Sequence, residues 1–259
     1  MPKYERFWDF VNKEDGAELL IYGDISDRSW WGDEVTPKIF KEELDKCRGD
    51  LDIFINSGGG DVFAGMAIYN MLTRYDGKKT VHIDGLAASI ASVIAMAGDE
   101  VIMPENAMIM IHNAWTMCRG NRNDLRKMAD EVEKIDGLIA DTYARRGNKT
   151  GAEYAAMMDA ETWFTAQEAK EAGLIDTIEA GKQIAASMDG VFLCANGIRI
   201  DIARYRHADA VRQMTDHSNG DESQPVDDDI QNALDMQRRK FNASKLKIAE
   251  RMNRKHDHH

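Results

Sequence analysis

The chain is poor in the residues that staple or anchor a protein. Among 259 residues there are three cysteines, Cys47, Cys118 and Cys194. They lie far apart, are odd in number and form no CxxC pair. That argues against a disulfide framework or a structural zinc site and fits a reducing cytosol. Long hydrophobic runs are missing too. The most apolar stretch, Ala87 to Ala97, is far too short to span a bilayer. The opening MPKYERFWDF is charged and aromatic and has no apolar signal core. Positive charge is short as well: Lys and Arg total 33 against 45 Asp and Glu, a net charge of −12. Such a surface repels phosphate backbones, which argues against a nucleic-acid partner. The expectation is a soluble cytoplasmic protein with neither membrane nor nucleic acid as partner.

Hydrophobic residues make up 43% of the chain, enough for a substantial core. The length suits one globular domain with an appendage, or two small domains. No internal repeat is present. ELLIYGDI, Glu18 to Ile25, reads as a strand, and Thr36 to Lys46 as a helix with Thr36 as N-cap and Pro37 at its first position. LDIFINS is a strand broken by three glycines. VFAGMAIYNMLTRY then carries helical spacing, with Val62, Met66, Tyr69 and Leu72 or Thr73 on one face. KTVHIDG reads as a strand, AASIASVIAMAG as a small-residue helix, DEVIMP and AMIMIHN as two more strands. Alternating strands and helices predict an α/β protein with a mostly parallel sheet.

Beyond Cys118 a long amphipathic helix is expected from Asn123 to Arg146, with Leu125, Met128, Val132, Ile135, Leu138, Ile139 and Tyr143 on one side. Asn121 and Asn123 are its cap candidates. A short helix, TGAEYAAMM, leads to DAETWFT, and AQEAKEAGLIDTI gives a helix stopped by Gly173 and a last strand. From Ser218 to Asp229 the chain reads as a polar, acidic linker. Ile230 to Met252 follows as a charged, solvated helix. The closing KHDHH is too irregular for a metal site.

Four groups could carry chemistry. Ser89 stands at the start of the small-residue helix, where backbone N–H groups lack partners and the dipole favours negative charge. It reads either as a packing or capping serine or as a nucleophile. His112 ends an apolar strand, at the sheet edge where catalytic groups gather. It reads as a core histidine or as a general base. His82 competes for that role but sits inside a strand, so its side chain should face a helix or a subunit surface. Gly58, Gly59 and Gly60 permit close backbone approach. No GK[ST] follows them, which excludes a Walker loop. The other reading is an oxyanion hole built from the N–H groups of Gly59 and Ile90. Asp159 and Glu161 are candidates for an acid that orients the imidazole, or are ordinary solvated acids.

Taken together, INSGGGDVFAGMAIYNML, GLAASIASVIAMAGDEVIMPENAMIMIHNAW and DAETWFTAQEAKEAGLID resemble the Clp protease proteolytic-subunit family over residues 18 to 180. The wording MIHNAW and ETWFTAQEA is most similar to the phage and prophage branch of head maturation proteases. The resemblance implies a crotonase-like fold of repeated αββ units with a protruding handle helix over about 121–146; the C-terminal helical extension is read from the residues and is not part of the family core. Together they divide the chain into a protease domain at 1–185, an end of the core or connecting segment at 186–217 and an acidic linker with a charged helical tail at 218–259. It implies a serine endopeptidase with Ser89 as nucleophile, His112 as base and Glu161 as acid in preference to Asp159. Glu161 stands where the family usually has aspartate, and SGGG where the family commonly has SPGG. No cofactor and no metal are implied. The expected partners are a peptide or protein substrate and copies of the chain in a homo-oligomeric ring or two stacked rings. A head maturation enzyme would act on scaffold or capsid protein. The alternatives are a housekeeping subunit served by an AAA+ unfoldase, a crotonase-like acyl-CoA enzyme, and an inactive ring protein.

Overall fold

A computed structural model describes residues 7–26 and 37–180, and the backbone of three strands between 186 and 201. The chain opens with an antiparallel pair, β1 (Trp8–Asn12) and β2 (Gly16–Tyr22). Helix α1 (Pro37–Leu44) leads to β3 (Asp50–Ser57), and α2 (Val62–Thr73) leads to β4 (Lys79–Ala88). Then come α3 (Ile90–Ala95), β5 (Glu100–Pro104) and β6 (Met108–Ile111). Helix α4 (Arg122–Arg146), α5 (Gly151–Asp159), β7 (Thr162–Phe164), α6 (Ala166–Glu171) and β8 (Thr177–Glu179) complete the body. Strands β9 (Ala186–Asp189), β10 (Phe192–Ala195) and β11 (Ile198–Asp201) form a separate antiparallel sheet.

The main sheet runs β1-β2-β3-β4-β5-β8, parallel from β2 onward. Its alternation follows the pleat. Leu19 and Ile21, Leu51, Ile53 and Ile55, Val81 and Ile83, and Val101 and Met103 are all fully buried. Each such side chain contributes about 1.5–3 kcal/mol on burial. The residues between them lie on a half-covered face.

Strand β4 forks the sheet, and the fork makes the site. Its first half pairs with β5, Thr80 to His82 opposite Glu100 to Ile102. Its second half pairs with β6, Leu86 to Ala88 opposite Met108 to Met110. The β3–β4 register slips between Ile55 and Ser57, so the end of β4 leaves its first course. Strand β7 then adds antiparallel to β6.

Several expectations need correction. Trp8 to Phe10 of the opening segment belong to β1, with Trp8 donating to Glu43 of α1 at 3.0 Å. On α2 the buried stripe is Ala64, Gly65, Ile68, Tyr69 and Leu72, while Val62 and Met66 are only partly covered. The slip arises because small residues pack closest: Gly65 lies against Ile90. Helix α3 is shorter than expected, because AAS still belongs to β4 and the turn that follows. Asn121 alone caps α4, in a capping box with Asp124. Leu125 and Leu138 of that helix are exposed, not buried. Gly173 ends α6 with φ +72° as expected, but β8 is not the last strand. The Thr36 cap, the linker from Ser218, the helix from Ile230 and KHDHH lie outside the described residues.

Candidate active site

Ser89 occupies the single residue between β4 and α3. Its backbone sits at φ 56° and ψ −132°, a conformation L-residues avoid. Tertiary packing holds it there. The Ser89 N–H donates to Met110 O on β6 at 2.9 Å. All six residues of α3 behind it are buried. Gly59 presses on its front, since a Cβ on Gly59 would come 2.6 Å from the Ser89 Cβ. Such strain, kept by surrounding structure, is typical of reacting groups.

His112 follows β6 directly, and β6 runs parallel beside the end of β4. The two strand ends therefore deliver their next residues to one edge. There His112 Nε2 lies 2.8 Å from Ser89 Oγ. That distance suits proton transfer from hydroxyl to imidazole.

Glu161 has the other positive φ among the described non-glycine residues, 51°, and is 7% exposed. It precedes β7, whose register sets Thr162 opposite Ile111. Continued by one residue, that register sets Glu161 opposite His112. Asp159 is exposed and turned elsewhere: its Oδ1 accepts from Asn113 Nδ2 at 2.7 Å.

The glycine turn lies on the other side of Ser89. Gly59 has φ +86° and Gly60 φ +151°, both glycine territory. The Gly59 carbonyl accepts from Ile25 N at 2.8 Å, and Asp61 N donates to Ile25 O at 2.8 Å. Asp61 then caps α2 through Ala64 N. Ile90 supplies the first N–H of α3, a position helix geometry leaves without an intrahelical acceptor. The Gly59 N–H, expected to face the same point, donates instead to Ser57 Oγ at 3.1 Å.

A small pocket opens beside the pair, its walls supplied by Val62, Val93, Ile139 and Tyr143. Ser92 is fully buried behind it. Its Oγ donates to Ser89 O at 2.5 Å and meets Tyr143 Oη at 2.8 Å. Burial pushes the Tyr143 hydroxyl well above its ordinary range, partly offset by Ser92. Ser92 is thus a packing serine, as its place one turn into the helix suggests.

The sequence did not mark Ser57, Asn113 and Asp136 as site residues, and it placed Tyr143 only on the apolar side of α4. Asp136 of α4 accepts the Ala114 N–H at 2.7 Å, which fastens the segment after His112 to the helix. Burial raises its carboxyl above the usual range, the Ala114 N–H opposes this, and Asp159 and Glu133 add to it. Only Ser57 carried a local signal, a serine two residues before a glycine N–H. His82 stacks on Phe54, ring centres 4.8 Å apart, with Asp52 at 3.7 Å. It lies on the half-covered face. Among the described residues, no group of three or more His, Cys, Asp or Glu side chains is placed to hold a metal ion. No helix there is long and apolar enough to cross a membrane.

The sequence has relatives. The ATP-dependent Clp protease proteolytic subunits of Bacteroides fragilis and Bacteroides thetaiotaomicron are each 33% identical over 132 residues, covering 50% of this chain and 60% of theirs. The Deinococcus radiodurans protein of the same name is 33% identical over 132 residues, covering 50% of this chain and 64% of its own. The match therefore spans less than two thirds of those relatives. A family model described as Clp protease matches residues 14–182, and over that span the chain belongs to the Clp protease family.

Proposed function

We propose that the protein is a serine endopeptidase. The observation that carries this is the 2.8 Å approach of His112 Nε2 to Ser89 Oγ, with the serine on a strained strand-to-helix turn. Ser89 attacks a peptide carbonyl while His112 takes its proton. Glu161 orients the imidazole and balances its charge. The tetrahedral oxyanion is stabilised by backbone N–H groups at Ile90 and Gly59. His112 then protonates the leaving amine, and water hydrolyses the acyl-enzyme by the reverse sequence. No cofactor enters these steps.

The setting we favour is head maturation, with scaffold or capsid protein as substrate and a homo-oligomeric ring as the working form. The residue wording MIHNAW and ETWFTAQEA supports the first. The exposed Leu125 and Leu138 on α4 support self-association. The names of the relatives support a second setting, a proteolytic subunit served by an AAA+ unfoldase. In either, the enzyme works in the cytoplasm, with a protease domain ending near residue 185 and an appended acidic linker and charged tail.

A fluorophosphonate probe tests the chemistry. The folded protein should be labelled at Ser89, and Ser89→Ala should abolish labelling. An unmodified Ser89 would leave an acyl-CoA enzyme or an inactive ring protein as the better reading. Mass spectrometry of wild type and Ser89→Ala tests the setting. A tail trimmed only in the wild type favours maturation, and an intact tail in both removes self-cleavage.

A further inference from the structure

The oxyanion hole has one donor turned away from the reaction. Ser57 is fully buried at the end of β3. Its hydroxyl donates to Gly23 O at 2.5 Å, so toward Gly59 it can only accept. There it takes the Gly59 N–H at 3.1 Å, closing a serine turn across two residues. Yet Gly59 lies directly on the nucleophile: its missing Cβ would meet the Ser89 Cβ at 2.6 Å and Ile90 N at 3.2 Å. The backbone is where an oxyanion donor should be, while its hydrogen points into the protein.

We propose that Ser57 is a positioning residue that holds the oxyanion hole half shut at rest, and that acyl transfer requires the Gly59 N–H to pass from Ser57 Oγ to the substrate's carbonyl oxygen. The proposal rests on the serine-peptidase reading. The sequence allows the motion. Reorienting the peptide between residues 58 and 59 turns ψ of one and φ of the other, and both residues are glycine. The Gly59 carbonyl is pinned to Ile25, so the movement stays within one peptide unit. For the N–H the exchange is one acceptor for another, with the developing negative charge favouring the substrate. Ser57 thus sets a threshold: a carbonyl held loosely leaves the N–H where it is, and one developing charge at Ser89 draws it over.

The test uses the full-length, assembled protein, a fluorogenic peptide and a peptide boronic acid whose adduct with Ser89 places an oxygen in the hole. Ser57→Ala frees the N–H. It should raise kcat and tighten boronate binding by the same factor, roughly two- to tenfold, with KM little changed. Ser57→Cys, close in size but with a weak acceptor, should fall between and carries the test if the alanine variant does not fold. Ser57→Thr keeps the oxygen and should resemble wild type. Folded Ser57→Ala and Ser57→Cys proteins with unchanged or lower kcat and unchanged or weaker boronate binding overturn the proposal and leave the peptidase reading standing. A wild-type protein that the fluorophosphonate does not label removes both.

Discussion

Two histidines stand on adjacent strands in opposite circumstances. His82 lies within β4, stacked on Phe54 in regular register, and its neighbourhood is relaxed. His112 lies just past β6, and the serine it meets is backbone-strained. Both have half-buried side chains. What separates them is position along the strand. A residue inside a strand is committed to the pleat, while one just beyond its end can be aimed at a neighbouring strand's turn. The serine–histidine contact lies at the strand ends, where packing can hold conformations that the sheet interior forbids.

The comparison breaks most visibly at the histidines. Ser89→Ala and His112→Ala should each lower kcat for a fluorogenic peptide by on the order of 10³-fold or more, while His82→Ala stays within about twofold. Equal losses at both histidines would erase the distinction. The next contrast lies between the two acids. Glu161→Gln should cost roughly 10²- to 10⁴-fold in kcat, because the imidazole loses its orienting charge. Asp159→Asn, which touches Asn113, should leave kcat within a few-fold. The opposite ranking would return the role to Asp159.

Smaller effects separate packing from chemistry. Tyr143→Phe removes a buried hydroxyl that meets Ser92. It should lower unfolding free energy by about 1 kcal/mol, read by denaturant melting, and change kcat far less than substitution of Ser89, His112 or Glu161. The smallest effect belongs to the relaxed face. Burial raises the Asp84 carboxyl above its ordinary range; the hydroxyl of Tyr22 and nearby His82 oppose this, and Glu179 adds to it. A raised folded-state value means stability present below the unfolded carboxylate range and lost as pH rises through the folded value. Asp84→Asn should therefore raise the melting temperature at neutral pH, by the equivalent of less than about 1 kcal/mol after solvent screening. The gain should vanish as pH falls through the carboxylate range.

Much of the fold was legible because its signals are local. Hydrophobic alternation in ELLIYGDI, LDIFINS and KTVHIDG placed three strands, and a cap candidate, Asn121, marked the start of α4. The face of α2 was read correctly at Tyr69 and Leu72 but missed Ala64 and Gly65, because apolar size, not closeness of approach, guided the reading: Gly65 lies against Ile90 of α3. Strand β1 was missed because its burial depends on α1, through Trp8 and Phe40. Leu125 and Leu138 fit an apolar stripe that the single chain leaves uncovered.

The sequence by itself determined which segments alternate, where α4 begins, and where glycine is favoured, since propensity, caps and positive φ act within a few residues. It also brought Ser89 and His112 under suspicion. Only the tertiary structure decided that Ser89, and not Ser92 three residues on, faces the imidazole. It also decided that Glu161 and not Asp159 lies at His112's register, and that Ser57 holds the Gly59 N–H. Those choices depend on the slip between β3 and β4, the fork of β4 and the pairing of β6 with β7. Register is a long-range property: one residue's shift would point every side chain the other way.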